Sequence, residues 1–138
     1  MKICYPALLT DAVGGGFGVR FVDLIEASTQ GDTLDEALFK AAEVLTVTIE
    51  GRIANGMVIP APSHDVSSAH YIAPDAKTQS ALLLRQARGE RTFSELARAL
   101  ETSWPQARRL EDPTHWPSLK TLDRAARVLG KRLVLSIE

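Results

Sequence analysis

Apolar residues recur at helical spacing through the second half of the chain and at two-residue or clustered spacing near its start. Leu96, Ala97 and Leu100 form one stripe, Ala107 and Leu110 a second, and Leu119, Leu122, Ala125, Ala126 and Leu129 a third, each with the 3.6-residue period of an amphipathic helix. Thr92-Phe93-Ser94-Glu95 and Ser103-Trp104-Pro105-Gln106 both fit the capping box, in which a hydroxyl takes an orphan helix N–H and a Glu or Gln three residues on reciprocates. Two short helices therefore begin eleven residues apart, joined by a tight turn at Glu101-Thr102. The second runs from Ser103 to Glu111 and stops at Asp112-Pro113, because proline disfavours helical geometry in the residue before it. Pro117-Ser118 opens the third helix and Gly130 ends it. An Ala- and Leu-rich stretch from Thr78 to Arg88 predicts a helix upstream of these, and Leu83, Leu96, Leu100, Leu110, Leu122 and Leu129 are the expected core.

In the first half, Lys2–Thr10 and Phe17–Asp23 are β-prone runs joined by a loop whose Gly14-Gly15-Gly16 supplies positive φ angles. Thr33-Leu34-Asp35-Glu36 is a further capping box, opening a helix to about Glu50 with Ala37, Leu38, Ala41, Ala42 and Leu45 at helical spacing. Asn55-Gly56 to Pro62 turns the chain back, and Ala69–Ala73 reads as another strand. The expected fold class is an α+β domain, one helix on a three- or four-stranded antiparallel sheet, over residues 1–76. An all-α domain with a terminal β-strand follows over residues 77–138.

Charge separates the same halves. Lys77–Glu138 carries 12 Lys and Arg against 7 Asp and Glu, a balance of +5, whereas Met1–Ala76 carries 4 against 10, or −6. The net charge of −1 thus hides an acidic and a basic domain.

The segment reading E-L-A-R-A-L, then R-R-L-E-D, then S-L-K-T-L-D-R-A-A-R-V-L-G, resembles the Xre/Cro-like helix-turn-helix family. In that family the N-terminal part of the second helix enters the major groove. The resemblance places Ser103, Trp104, Pro105, Gln106, Arg108 and Arg109 nearest the DNA, with Arg109 the best base reader, since a guanidinium can bond guanine O6 and N7 together. Thr92 and Ser94 suit phosphate contacts through hydroxyl and backbone N–H, and Arg88, Arg91, Arg98 and Lys120 extend the basic footprint. Two departures stand out. Glu101 takes the place of the usual turn glycine, where a left-handed backbone costs a non-glycine residue on the order of 1–2 kcal/mol. Trp104 and Pro105 replace the usual polar readers; Trp104 either packs on the preceding helix or touches a thymine methyl group.

Y-P-A-L-L-T-D, G-G-G-F-G-V-R-F-V-D, T-Q-G-D-T-L-D-E-A and I-P-A-P-S, spread over Met1 to Ala73, resemble the HicB-type antitoxin domain. The resemblance implies a partial ribonuclease-H-like fold and a partner, a small basic HicA-type toxin that cleaves messenger RNA. Leu24-Ile25-Glu26-Ala27 departs from the family's usual Leu-Pro-Gly-Cys-like turn. Complementary charge would speed the encounter and set its specificity, which makes Asp23, Glu26, Asp32 and Asp35 the candidates for facing the toxin. Capping and solvation are the plainer roles of Asp32 and Asp35. Together the two resemblances imply a cytoplasmic antitoxin that neutralises its toxin and binds double-stranded operator DNA to repress its own operon. The alternative is a stand-alone helix-turn-helix regulator whose α+β domain senses a small molecule.

Lys131–Ile137 alternates polar and apolar residues, and as a terminal strand it would offer Leu133, Leu135 and Ile137 to its copy in a second chain. A homodimer, or a larger even-numbered assembly, is expected. No enzyme, cofactor or metal is expected. A metal nuclease would need Asp11, Asp23 and Glu43 to converge, and nothing in their spacing demands it. His64, His70, His115 and the single Cys4 form no zinc pattern. One cysteine cannot make an internal disulfide, and no apolar run is long enough to span a bilayer.

Overall fold

The computed structural model describes residues 2–138 and divides the chain into two units, Met1–Asp75 and Ala76–Glu138. In the first, strands β1 (Tyr5–Asp11) and β2 (Phe17–Phe21) form the expected antiparallel hairpin, with Ala7 opposite Phe21 and Leu9 opposite Val19. Gly14, Gly15 and Gly16 all take positive φ at its tip, 87°, 106° and 81°. A strand that periodicity did not show, β3 (Ser28–Gly31), pairs with β2. It is only four residues long, and Ser-Thr-Gln-Gly contains no strongly apolar residue, so no apolar–polar alternation marks it. After helix α1 (Leu34–Ala54), β4 (His70–Ile72) adds to the other side of β1. The resulting order is β3-β2-β1-β4, antiparallel throughout.

Period-two alternation turns Tyr5, Ala7, Val19 and Phe21 to one face of the sheet, where they are buried along with Ala37, Ala41, Leu45 and Ile49 of α1. The helix start follows from the sequence, since the Thr33 hydroxyl accepts the Glu36 N–H at 3.1 Å. The Glu36 carboxylate reaches back one residue further than a standard box, taking the Asp32 N–H at 3.4 Å. α1 runs one turn beyond the expected end, because Asn55 caps it through both its backbone N–H and its amide, each donating to the Gly51 carbonyl. Where β3 meets this helix the backbones nearly touch. A Cβ on Gly31 would lie 2.5 Å from the Ala37 nitrogen.

The second unit comprises α2 (Ala76–Arg88), α3 (Phe93–Ala99), α4 (Trp104–Arg109) and α5 (Leu119–Val128). Hydroxyl caps begin the last three: Thr92, Ser103 and Ser118 accept the N–H of Glu95, Gln106 and Thr121 at 3.1, 3.3 and 3.1 Å. Leu84, Leu96, Ala97, Leu100, Ala107, Leu110, Ala125 and Leu129 form the core, with Leu122 packed against it. Leu84 therefore takes the place expected for Leu83, which is half-buried. In a run of three leucines the helical phase is not fixed by pattern alone.

The expected terminal strand is not formed in the single chain. Lys131–Glu138 is irregular, and Leu135 and Ile137 are 65% and 102% exposed. A strand needs a second backbone to pair with, and one chain supplies none here.

Candidate functional site

α3 and α4 are joined by a turn that the sequence makes difficult and hydrogen bonds make definite. Glu101 sits at φ +54°, the left-handed region that favours glycine. The Thr102 N–H donates to the Ala97 carbonyl at 2.9 Å and the Glu101 N–H to the Arg98 carbonyl at 3.1 Å, the paired bonds of a Schellman stop. These bonds set the direction in which the chain enters Ser103 and α4.

On α4, Ala107 and the following Leu110 are buried, while Trp104, Pro105, Gln106, Arg108 and Arg109 are all exposed. Trp104, Pro105, Arg108, Arg109 and Asp112 surround a shallow hollow of about 220 Å³. Asp112, though exposed, is engaged locally, accepting the Thr114 N–H and hydroxyl at 2.9 and 2.7 Å, and the Thr114 hydroxyl and N–H hold its pKa below the ordinary carboxylate value. Ser94 and Lys120 are exposed near the starts of α3 and α5. Thr92 and Ser103 are exposed too, but their hydroxyls are engaged as caps.

Both roles considered for Trp104 leave their mark on its position. Its ring meets Phe93 edge-on, with centroids 5.8 Å apart and planes at 77°, yet the residue stays 47% exposed. Phe93 in turn lies 4.1 Å beneath the Arg88 guanidinium. Arg88 is not part of an open basic footprint. It grips Glu111 through Nε and Nη2 at 2.5 and 3.1 Å and donates Nη1 to the Arg91 carbonyl. The Arg88 and Glu111 side chains are only 16% and 7% exposed. The Glu111 carboxylate also raises the Arg88 pKa, keeping it charged. Sequence reasoning missed Phe93 as a positioning residue; the available signal was an aromatic at the first position of both α3 and α4.

In the first unit the four acidic candidates separate. Asp23 accepts the Ser63 N–H and hydroxyl at 2.9 and 2.5 Å. Glu26 is forked by Arg52, whose Nε and Nη2 lie 2.7 and 2.8 Å from its oxygens while Nη1 donates to the Val58 carbonyl at 3.0 Å. The Arg52 hydrogen bonds pull the Glu26 pKa down to about 2. Tyr5, its pKa raised by burial and by nearby Asp23, donates its hydroxyl to the Pro60 carbonyl at 2.7 Å. These two carboxylates are thus occupied in fastening the segment from Val58 to Ser63. Asp32 and Asp35 remain exposed at the start of α1. Among the described residues, no three His, Cys, Asp or Glu side chains gather as a metal site would, and no helix is long and apolar enough to cross a membrane.

Residues 4–74, nearly the whole of the first unit, match the family model described as the HicB-like antitoxin of bacterial toxin–antitoxin systems. The chain belongs to the HicB-like antitoxin family. Similarity to proteins named antitoxin HicB extends past the family domain. The Escherichia coli antitoxin HicB is 36% identical over 133 residues, covering 95% of this chain and 96% of that protein. Antitoxin HicB 1 of Photorhabdus laumondii is 32% identical, covering 97% and 86%, and antitoxin HicB of Pseudomonas fluorescens is 29% identical, covering 90% and 87%. An antitoxin role follows from this membership, and the relatives' similarity takes in α2 to α5 as well as the matched domain.

Proposed function

We propose that the first unit binds and neutralises a HicA-type mRNA interferase by covering its active-site face, and that the second represses transcription of the antitoxin's own operon by binding operator DNA. The observation that carries this reading is the coincidence of charge with structure. The family domain holds the −6 balance, and the following unit holds the +5 balance together with the open α4 face. We read α3, the Glu101 turn and α4 as a helix-turn-helix, with Arg109 facing guanine and with Arg108, Lys120 and Ser94 near phosphates. Asp32 and Asp35 are the open carboxylates that would meet a basic toxin first. A homodimer joined through Leu133, Leu135 and Ile137 would present two α4 helices to half-sites roughly one DNA turn apart, in the cytoplasm.

The test is co-expression of the full chain with the product of the adjacent reading frame, followed by affinity capture and mass measurement in solution. DNA from upstream of the pair is then assayed by gel shift across a salt series. A small basic ribonuclease retained and silenced by the chain, and operator binding that weakens steeply with salt, are the expected results. A chain that captures no such protein but still binds its upstream DNA would instead be a stand-alone regulator.

A further inference from the structure

The first two residues of α4 have little with which to read bases by hydrogen bonds. Trp104 and Pro105 are exposed, and between them they offer a single side-chain donor, the indole Nε1–H, and no acceptor. Adenine is normally read by a group that both donates and accepts, and cytosine by an acceptor. Trp104 and Pro105 provide neither; the amide that could read adenine on this helix belongs to Gln106. What the pair does offer is a rigid apolar surface, and the major-groove feature that matches it is the 5-methyl group of thymine.

The placement of the ring supports that use. Trp104 meets Phe93 in a T-shaped ring contact, the Arg88 guanidinium stacks on Phe93, and Glu111 holds Arg88. That contact favours one orientation of the indole ring while nearly half of the residue remains open. Pro105 has no N–H to leave unpaired and fixes its own φ at the start of the helix. Arg109 follows Pro105 by four residues, one helical turn along the same side, and both border the hollow. The Arg108 guanidinium lies 5.9 Å from the Trp104 centroid, adding positive charge beside the apolar surface.

We propose that Trp104 and Pro105 read a thymine methyl group next to the base read by Arg109, so that each half-site contains a thymine adjacent to a guanine. The inference rests on the DNA-binding reading of the second unit and names what that site selects.

The experiment uses the full chain and a random duplex pool. Enriched duplexes are resynthesised with each thymine in turn replaced by deoxyuridine, which removes the methyl group and leaves base pairing and every hydrogen-bonding edge intact. At one thymine per half-site, loss of a buried methyl is expected to weaken binding roughly 3- to 5-fold, and uracil elsewhere to have no effect. Trp104→Ala and, independently, Pro105→Ala should lose much of this sensitivity, while Arg109→Ala keeps it and loses the guanine preference instead. Enriched sites that lack thymine, or that tolerate uracil at every position, overturn the methyl reading and leave DNA binding in place. A uracil effect unchanged in both variants overturns it as well. Failure to enrich any duplex removes the DNA-binding reading itself, and this inference with it. Because the uracil series is measured first on the unsubstituted chain, a variant that does not fold leaves the central comparison standing.

Discussion

Replacing Glu101 with glycine is expected to stabilise the second unit, even though it deletes a charged side chain and an ion pair. The residue sits at φ +54°, where an L side chain costs roughly 1–2 kcal/mol that glycine does not. Against this, glycine gives the unfolded chain more freedom, about 0.4–1 kcal/mol. The pair with Arg124 is long, 3.7 Å, with side chains 85% and 54% exposed for Glu101 and Arg124, so its loss costs only a few tenths of a kcal/mol. The balance is a gain of about 0.5 kcal/mol, or roughly 2–4 °C in Tm for a unit of this size. Glu101→Ala is the decisive control, since it deletes the same pair and keeps the strain; it should fall about 1 kcal/mol below the glycine variant. Both tryptophans of the chain, Trp104 and Trp116, lie in the second unit, so tryptophan fluorescence during urea unfolding follows that unit selectively. An alanine variant as stable as the glycine one would show that the turn is not strained and would refute the reasoning.

Gly31→Ala should destabilise the first unit by about 1–3 kcal/mol. The added Cβ would meet the Ala37 nitrogen and Cα at 2.5 and 2.8 Å, backbone atoms with no rotamer to change, and faster hydrogen exchange along α1 would report it. Glu111→Ala strands the enclosed Arg88 guanidinium and should cost on the order of 3 kcal/mol, whereas the double change Arg88→Met with Glu111→Leu recovers most of that loss. Urea unfolding of the three variants checks the ordering. The Glu26 carboxyl, with a folded-state pKa of about 2 against an ordinary 4.5, contributes stability that is fully present above about pH 4.5 and is lost as pH falls toward 2. An NMR pH titration should place the Glu26 carboxyl midpoint far below that of exposed carboxylates, and Glu26→Gln should remove this part of the acid sensitivity of the Val58–Ser63 segment.

Local chemistry was legible in the sequence because it acts over three or four residues. The caps at Thr33, Thr92, Ser103 and Ser118, the glycine hairpin tip and the left-handed turn at Glu101 depend on neighbours in the chain, and each appears where its residues stand. Charge partition and the resemblance to the antitoxin family were likewise properties of residue order. Tertiary structure decided which of those residues remain available. Asp23 and Glu26 have the same formal charge as Asp32 and Asp35, yet the chain returns Ser63 and Arg52 to the first pair and leaves the second in solvent. Arg88 and Arg109 are equally basic in sequence, but Glu111, 23 residues away, claims one and not the other. Leu133, Leu135 and Ile137 have the alternation of a strand and, in one chain, no backbone to complete it. Pattern specifies what a residue is able to do; long-range pairing determines whether its polar or apolar surface is already satisfied, because that depends on partners brought together only by the fold.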